Sequence, residues 1–168
     1  MLEGITVLDL STVGPAARAG RWLADYGATV VKVGPVPADS GVQITPPFHS
    51  YSAGRGLKKI LVDMKAPEGR EAFLRLAERA DVIIESFRPG VVDRLGIGYE
   101  AVSARNPRVV YCSTSGYGQD GPHSQWAGHD LNYLAISGFL YCSGRNEAGK
   151  PPIPARPSPT APVAACTR

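Results

Sequence analysis

A histidine beside a glycine-rich turn is the part of this sequence that could do chemistry. The turn runs from Ser115 to Pro122, and glycine takes backbone angles that let a ligand approach the main chain closely. His129 follows, with Gly128 before it and Asp130 after it. A histidine can take up and release a proton near neutral pH, so the segment predicts an active-site rim with His129 as an acid–base group. The alternative is an ordinary turn followed by a structural histidine.

Two arginines follow the segment 81–85, which we expect to be the most buried strand. Arg88 lies in the segment SFRPG at 86–90, and Arg94 comes six residues later. A guanidinium group binds phosphate through two parallel hydrogen bonds, so this pair could hold a phosphate-bearing small molecule. Two solvated surface arginines are the alternative that spacing alone leaves open.

Strand and helix patterns alternate along the chain, which predicts an α/β fold. Apolar β-rich runs predict strands at 5–10, 29–33, 59–63, 81–85 and 108–113, and amphipathic runs predict helices at 16–26, 67–80, 91–95 and 99–106. Strands joined by helices lie parallel, so we expect a Rossmann-like parallel sheet with flanking helices and with ligands beyond the carboxyl ends of its strands. The turn from Ser11 to Pro15 lacks GxGxxG spacing, which argues against a dinucleotide-binding fingerprint.

Length and composition predict one domain and a tail. The 168 residues are enough for a domain with a hydrophobic core, which we expect at 1–150. Residues 34–56 are rich in Pro, Gly and Ser, and they predict a long binding loop. Residues 151–168 are rich in Pro and Ala, and they predict a tail outside the packed core.

Charge and cysteine content narrow the function classes. The net charge is only +3 and the basic residues are scattered, so we expect no nucleic-acid surface. Cys112, Cys142 and Cys166 are odd in number and lack metal-ligand spacing, which predicts neither a disulfide framework nor a metal site. The N-terminus lacks the features of a signal peptide, and no apolar run approaches the roughly 20 residues that span a bilayer. We therefore expect a cytoplasmic protein that does not enter membranes.

Several ordered segments resemble family III CoA-transferases. The resemblance covers about residues 2–155, and its landmarks are LDL at 8–10, GP at 14–15, LADYGATVVK at 23–32, VDMK at 62–65, ADVIIESFRPG at 80–90, LGIGY at 95–99 and the glycine-rich segment. It implies that the chain is the N-terminal part of the large domain of such an enzyme, with a coenzyme A thioester as substrate and no prosthetic group. It also implies that the full-length protein forms an interlocked homodimer.

The segment GHDLNY at 128–133 is most similar to the racemase branch of this family. There the histidine is one of the acid–base groups that act at the α-carbon of a 2-methylacyl-CoA, a role that falls to His129 here. The resemblance further implies a CoA site formed by Val62, Asp63, Met64, Ser86, Phe87, Arg88, Arg94 and Tyr133. The alternatives are a CoA-transferase that moves CoA between carboxylic acids through an aspartyl anhydride, and a non-catalytic CoA-binding fragment.

Three positions depart from the family pattern in segments that bind CoA. Gly34 and Pro35 stand where the family usually has an acidic residue and then often an arginine. Leu57 stands where a lysine is common. These substitutions predict weaker or differently placed CoA binding.

The tail departs further from the family. The family continues with an aspartate followed by glycines, and this aspartate is the nucleophile of the transferases or the second acid–base group of the racemases. Residues 159–168 read PTAPVAACTR instead. Codons for Ser158 to Arg168 can be written so that a frame shifted by one base encodes ADGAGGGMHA, which restores the motif. This predicts a frameshifted tail and a truncated chain that lacks the aspartate and is inactive by itself.

Overall fold

The computed structural model describes residues 1–11, 14–36 and 54–151. Within these residues the strands are β1 (Thr6–Asp9), β2 (Thr29–Gly34), β3 (Lys58–Leu61), β4 (Val82–Glu85) and β5 (Val110–Ser113). The helices are α1 (Gly14–Asp25), α2 (Pro67–Ala77), α3 (Val91–Arg94), α4 (Tyr99–Ser103), α5 (Asp130–Ile136) and α6 (Phe139–Cys142).

All strands of the described residues join one parallel sheet in the order β3-β2-β1-β4-β5. The predicted α/β fold with a Rossmann-like parallel sheet is therefore confirmed. The strand order reverses at β1, because β2 and β3 lie on one side of it and β4 and β5 on the other. Crevices at such a reversal, beyond the carboxyl ends of the strands, are where open α/β sheets bind ligands.

The predicted elements agree with the structure except near their ends. The predicted helix at 67–80 begins at Pro67, as expected for proline in a first turn, and ends at Ala77. The predicted strand at 108–113 begins only at Val110. Much of the predicted binding loop, at 37–53, and all but the first residue of the predicted tail, at 152–168, lie outside the described residues.

Two hydrophobic clusters pack on opposite faces of the sheet. Neighbouring residues of a strand point to opposite faces, and Val7 belongs to one cluster whereas Leu8 belongs to the other. The cluster around Leu8 includes Phe73 of α2 and the fully buried Ile97. The cluster around Val7 includes Ala16 of α1. The sheet is thus covered by helices on both faces, as parallel sheets require.

A buried carboxylate lies at the carboxyl end of the central strand. Asp9 is fully buried, and its Oδ2 accepts a hydrogen bond of 3.0 Å from Lys32 Nζ, which belongs to the residue paired with it on β2. Its Oδ1 accepts bonds from the Ser11 amide at 2.8 Å and the Ser11 hydroxyl at 2.5 Å. Lys32 Nζ also donates to the Ser11 carbonyl. The carboxylate thereby fixes the start of the loop that follows β1.

Helix α1 crosses this carboxylate at Gly20. A Cβ atom at position 20 would lie 2.3 Å from Asp9 Oδ2, so the helix can approach the strand only because the residue is glycine. We expect Gly20→Ala to lower the free energy of unfolding by roughly 1–3 kcal/mol, the usual cost of overpacking. At other positions inside a helix, replacing glycine by alanine raises the free energy of unfolding. A decrease at position 20 therefore identifies the contact with Asp9. Urea denaturation measures the change in the free energy of unfolding.

The double variant Gly20→Ala with Asp9→Ala is the control, because it removes the atom that the new methyl group meets. The double variant should lose less free energy of unfolding than the two single variants lose in sum. A Gly20→Ala protein more stable than the unmodified chain would contradict the assignment.

Candidate functional site

The loops after β4 and β5 and the start of α5 enclose a pocket of about 300 Å³. It lies at the carboxyl edge of the sheet, beside the reversal of strand order. Its lining consists of Ser86, Phe87, Arg88, Pro89, Ser115, Gly116, Ser124, Trp126, Ala127, Gly128, His129 and Tyr133.

Hydrogen bonds tie the walls of this pocket together. The Glu85 carbonyl accepts bonds from the amide and from the hydroxyl of Thr114, both at 3.0 Å. These bonds hold the loop after β5 against the end of β4. Gln125 Nε2 donates to the Pro89 carbonyl at 3.2 Å, which joins the segment before α5 to the loop after β4. The pocket is therefore formed by segments that are fixed to each other.

Glu85 is a buried acid directly below the pocket. Its side chain is 2% exposed, and Oε2 accepts a bond of 2.7 Å from the Phe87 amide. Burial raises the pKa of this carboxyl above the usual glutamate value, and the nearby Asp93 raises it further. Hydrogen bonds from Ser113 and Phe87 oppose the shift without cancelling it. Glu85 thus holds the backbone at the start of one pocket wall.

His129 is the N-cap of α5, immediately before the first helical residue. Its backbone is extended (φ −127°, ψ −179°), and its amide donates to Asn132 Oδ1 at 2.9 Å. Aspartate is a common N-cap residue, but Asp130 is already the first residue of the helix. This N-cap position leaves the exposed imidazole at the pocket, where it can reach a ligand.

Tyr133 closes the inner end of the pocket, and two glycines make room for its ring. A Cβ atom at Gly116 would lie 2.2 Å from the Tyr133 hydroxyl, and one at Gly128 would lie 2.9 Å from its ring. The hydroxyl donates to the Gly128 carbonyl at 2.9 Å. Burial, with a smaller contribution from Tyr117, raises the pKa of Tyr133, so its hydroxyl keeps its proton at neutral pH.

The structure brings five of the predicted site residues into one pocket and leaves four outside its lining. The five are Ser86, Phe87, Arg88, His129 and Tyr133. Arg94 is exposed at the end of α3. The remaining three, at 62–64, follow β3, which is separated from β4 by two strands. The role of all nine residues in binding or catalysis stays a prediction.

The predicted site residues at 62–64 are connected to the pocket through the hydrophobic core. Val62, Met64 and Phe87 are all partly buried against the same cluster, which places them on one face of the sheet. Asp63 is exposed, and its Oδ1 accepts a bond of 3.0 Å from the Lys65 amide. An extended ligand could therefore run along the carboxyl edge of the sheet from the pocket towards β3.

Two side chains of the pocket were not among the predicted site residues and lie between the glycine-rich turn and His129. Ser124 and Trp126 line the pocket, although neither residue type stood out among the prolines and glycines around it. The signal that was available is proximity in sequence, since Trp126 lies three residues before His129.

The described residues contain no group of three or more His, Cys, Asp or Glu side chains that could hold a metal ion. Among the helices of the same residues, none is long and apolar enough to cross a membrane.

Comparison with known proteins decides the family. A model of the family described as CoA-transferase family III matches residues 2–167. The chain belongs to CoA-transferase family III.

Curated members of family III differ in the reaction named for them. The chain is 40% identical over 148 residues to human alpha-methylacyl-CoA racemase, with 86% of this chain and 36% of the racemase covered. It is 36% identical over 163 residues to succinate–glutarate CoA-transferase of Agrobacterium fabrum, with 89% and 40% covered. The chain spans about two fifths of the length of these relatives.

Solved structures of family III share the fold. Rv3272 from Mycobacterium tuberculosis superposes with a TM-score of 0.81 at 36% identity, covering 93% of this chain and 44% of that one. A CAIB/BAIF family protein from Brucella suis gives a TM-score of 0.82 at 32% identity, covering 92% and 43%. The parallel sheet described above is thus the family III fold.

Replacing Arg88 or Arg94 tests the predicted phosphate contacts. We expect Arg88→Ala and Arg94→Ala each to weaken CoA binding by about 1 to 3 kcal/mol, the range for hydrogen bonds to charged groups. Isothermal titration of the 168-residue chain with CoA measures the loss. Pantetheine, which lacks the phosphates, should bind both variants as it binds the unmodified chain.

Arg108→Ala is the matched control, because Arg108 is exposed and precedes β5 at the opposite edge of the sheet. Unchanged CoA affinity in both the Arg88 and Arg94 variants would show that the phosphates bind elsewhere.

The raised pKa of Glu85 predicts a pH dependence of stability. Above pH 4.5 the unfolded chain releases this proton while the native state still holds it, so the free energy of unfolding falls as pH rises through that window. Glu85→Gln removes the titration but keeps an oxygen for the Phe87 amide, so its stability should fall less over the same window. Urea denaturation in steps from pH 4.5 to pH 7 measures both slopes.

Glu100→Gln on α4 serves as the control for Glu85, because Glu100 is exposed and its loss should leave the slope unchanged. Equal slopes for Glu85→Gln and the unmodified chain would rule out a raised pKa at Glu85.

Proposed function

We propose that this site serves acyl-CoA chemistry at the α-carbon, with His129 as the group that takes or returns the α-proton. The observation that carries the proposal is the position of His129 at the N-cap of α5, in one pocket with Arg88 and with a wall of aromatic side chains. A thioester makes the neighbouring α-proton removable by a general base. The 40% identity to human alpha-methylacyl-CoA racemase supports the same reading.

The pocket has room for part of an acyl-CoA rather than for the whole molecule. Its volume of about 300 Å³ is at the lower limit of small-molecule sites. Arg88 at the pocket and Arg94 beyond it can meet the CoA phosphates, and Val62 and Met64, after β3, can cover the adenine at the same edge of the sheet. The coenzyme A thioester is thus a substrate that the chain itself orients.

Inversion at the α-carbon requires a second acid–base group on the opposite face of the substrate. No carboxylate lines the pocket within the described residues. The aspartate that the family resemblance implies has no counterpart in the sequence from Leu131 to Arg168. We therefore propose that the tail is frameshifted after Ser158 and that the 168-residue chain binds acyl-CoA without turning it over.

A second candidate is transfer of CoA between carboxylic acids. The 36% identity to succinate–glutarate CoA-transferase favours it. In that reaction an aspartate attacks the thioester carbonyl and expels CoA as the thiolate, and His129 only lines the site. The proposal includes the cytoplasmic location that the sequence favours and the interlocked homodimer that the family resemblance implies for the full-length protein.

Proton exchange in deuterated water separates these reactions. We expect the 168-residue chain to give neither racemisation of a chiral 2-methylacyl-CoA nor CoA transfer, because a missing acid–base partner typically costs about 10²- to 10⁴-fold in rate. The protein expressed with the frame restored after codon 158 should place deuterium at the α-carbon and racemise it. Proton NMR follows the exchange, and chiral chromatography follows the racemisation.

His129→Gln in the frame-restored protein should abolish racemisation, whereas Arg108→Ala, outside the site, should leave it unchanged. CoA transfer to a carboxylate without α-exchange would identify the transferase instead. Turnover by the purified 168-residue chain that His129→Ala abolishes would show that the site is complete without the aspartate.

A further inference from the structure

We propose that Asn132 and Tyr133 are positioning residues for the reaction: their side chains hold the peptide bond before His129, and with it the direction from which the imidazole enters the pocket. This inference rests on the proposed function, since it takes His129 as the group that moves the α-proton. Asn132 is not among the predicted site residues, and it lies outside the pocket lining of the described residues. The role assigned to it requires no contact with the substrate.

The peptide bond between Gly128 and His129 is held at both of its polar atoms. Asn132 Oδ1 accepts a hydrogen bond of 2.9 Å from the His129 amide. The Tyr133 hydroxyl donates to the Gly128 carbonyl, also at 2.9 Å. Because a peptide unit is planar, these two bonds together fix the plane that leads into the Cα atom of His129.

The carbonyl of His129 is held by the same two residues. It accepts bonds from the Asn132 amide at 2.9 Å and from the Tyr133 amide at 3.3 Å. Most residue types at positions 132 and 133 would supply those two amides, whereas the bonds to the preceding peptide come from side chains. The side chains therefore decide whether φ of His129 is fixed as well as ψ. Both angles together set the direction of its Cβ atom.

The surroundings of Tyr133 keep its hydroxyl at this carbonyl. The ring fits only because positions 116 and 128 are glycine, since a Cβ atom at Gly116 would lie 2.2 Å from the hydroxyl oxygen. Tyr117 packs on the Tyr133 ring in an edge-to-face arrangement, with ring centroids 5.2 Å apart. Packing as well as hydrogen bonding thus directs the hydroxyl. Asn132 is exposed, so water competes for its bond and it is the weaker of the two contacts.

Proton transfer is sensitive to the placement of the acid–base group. A general base must lie about 2.6–3.2 Å from the atom whose proton it removes. A misplacement of about 1 Å can lower the rate roughly 10²-fold. If the peptide before His129 were free to turn, the imidazole would adopt the reactive orientation for a smaller fraction of the time. Loss of either side-chain bond should therefore lower kcat and leave KM unchanged.

The chain offers a matched control for each side chain. Asn146 Oδ1 accepts a bond of 2.9 Å from the Lys150 amide. The Tyr111 hydroxyl donates to the Ile97 carbonyl at 3.0 Å. These bonds join the same pairs of chemical groups as the bonds at His129, and neither Asn146 nor Tyr111 belongs to the described pocket lining. Asn146→Ala and Tyr111→Phe therefore remove equivalent bonds away from the site.

The first measurement is the order parameter of the His129 amide in the 168-residue chain, obtained from NMR relaxation. We expect a value near 0.85, that of a rigid backbone. Asn132→Ala and Tyr133→Phe should each lower it towards about 0.6, below which a backbone is flexible, and the two control variants should not. Asn132→Gln keeps an oxygen that can reach the amide, as in a capping box, so it should keep the higher value.

The second measurement is racemisation of a chiral 2-methylacyl-CoA by the frame-restored protein. We expect Tyr133→Phe to lower kcat roughly tenfold and Asn132→Ala roughly threefold, the range that the loss of one net hydrogen bond gives. KM should stay within about twofold in both variants, because the bonds that bind the CoA are untouched. Asn132→Gln should retain most of kcat.

Three results would overturn the inference alone: an unchanged order parameter of His129 in both variants, an unchanged kcat in both, or equal losses of kcat in Asn146→Ala and Tyr111→Phe. A frame-restored protein without α-exchange, or one that still racemises its substrate with His129→Gln, would overturn the proposed function itself and this inference with it.

Discussion

The buried contact between Asp9 and Lys32 is the constraint on which the rest of the architecture depends. Asp9 ends the central strand, and a carboxylate in that position requires a charged or hydrogen-bonding partner for each oxygen. Lys32, directly opposite on β2, supplies one, and Ser11 supplies the other from the following loop. The register of β1 against β2, the approach of α1 at Gly20 and the exit of the chain into the first loop are set together by one carboxyl group.

Glu85 repeats this arrangement on the next strand, with a different electrostatic result. Both acids end a strand of the same sheet, and both bond to the amide two residues later. Asp9 faces a lysine, whereas the groups that bond to Glu85 are Ser113 and an amide, and its nearby charge is Asp93. The carboxyl edge of the sheet therefore combines an ion pair at β1 with a buried acid of raised pKa at β4. The second of these lies next to the pocket.

The sequence allowed the sheet to be predicted because its signal is local. Apolar runs at 29–33 and 81–85 and the helices between them sufficed for a parallel order, and the strands differ from the predicted ones only at their ends. The site was harder to predict because its geometry depends on contacts between distant residues. Arg88 and Arg94 looked equivalent by spacing, but α3 carries Arg94 away from the pocket lining. Trp126 was missed as well, because its contacts with the Tyr117 and His123 rings exist only in the folded chain.

The glycines before α5 fall into two classes that differ in the reason why an L-amino acid is disfavoured. Gly118 and Gly121 have φ near +90°, and a Cβ atom there would meet nothing closer than 3.7 Å. A D-amino acid introduced by chemical synthesis suits such a backbone, because its side chain favours the mirror-image region. Gly116 and Gly128 have no such φ, and they are glycine because tyrosine rings occupy the space, Tyr133 beside Gly116 and both Tyr117 and Tyr133 beside Gly128. L-alanine does not fit there whatever its backbone angles, so the two classes are glycine for different physical reasons.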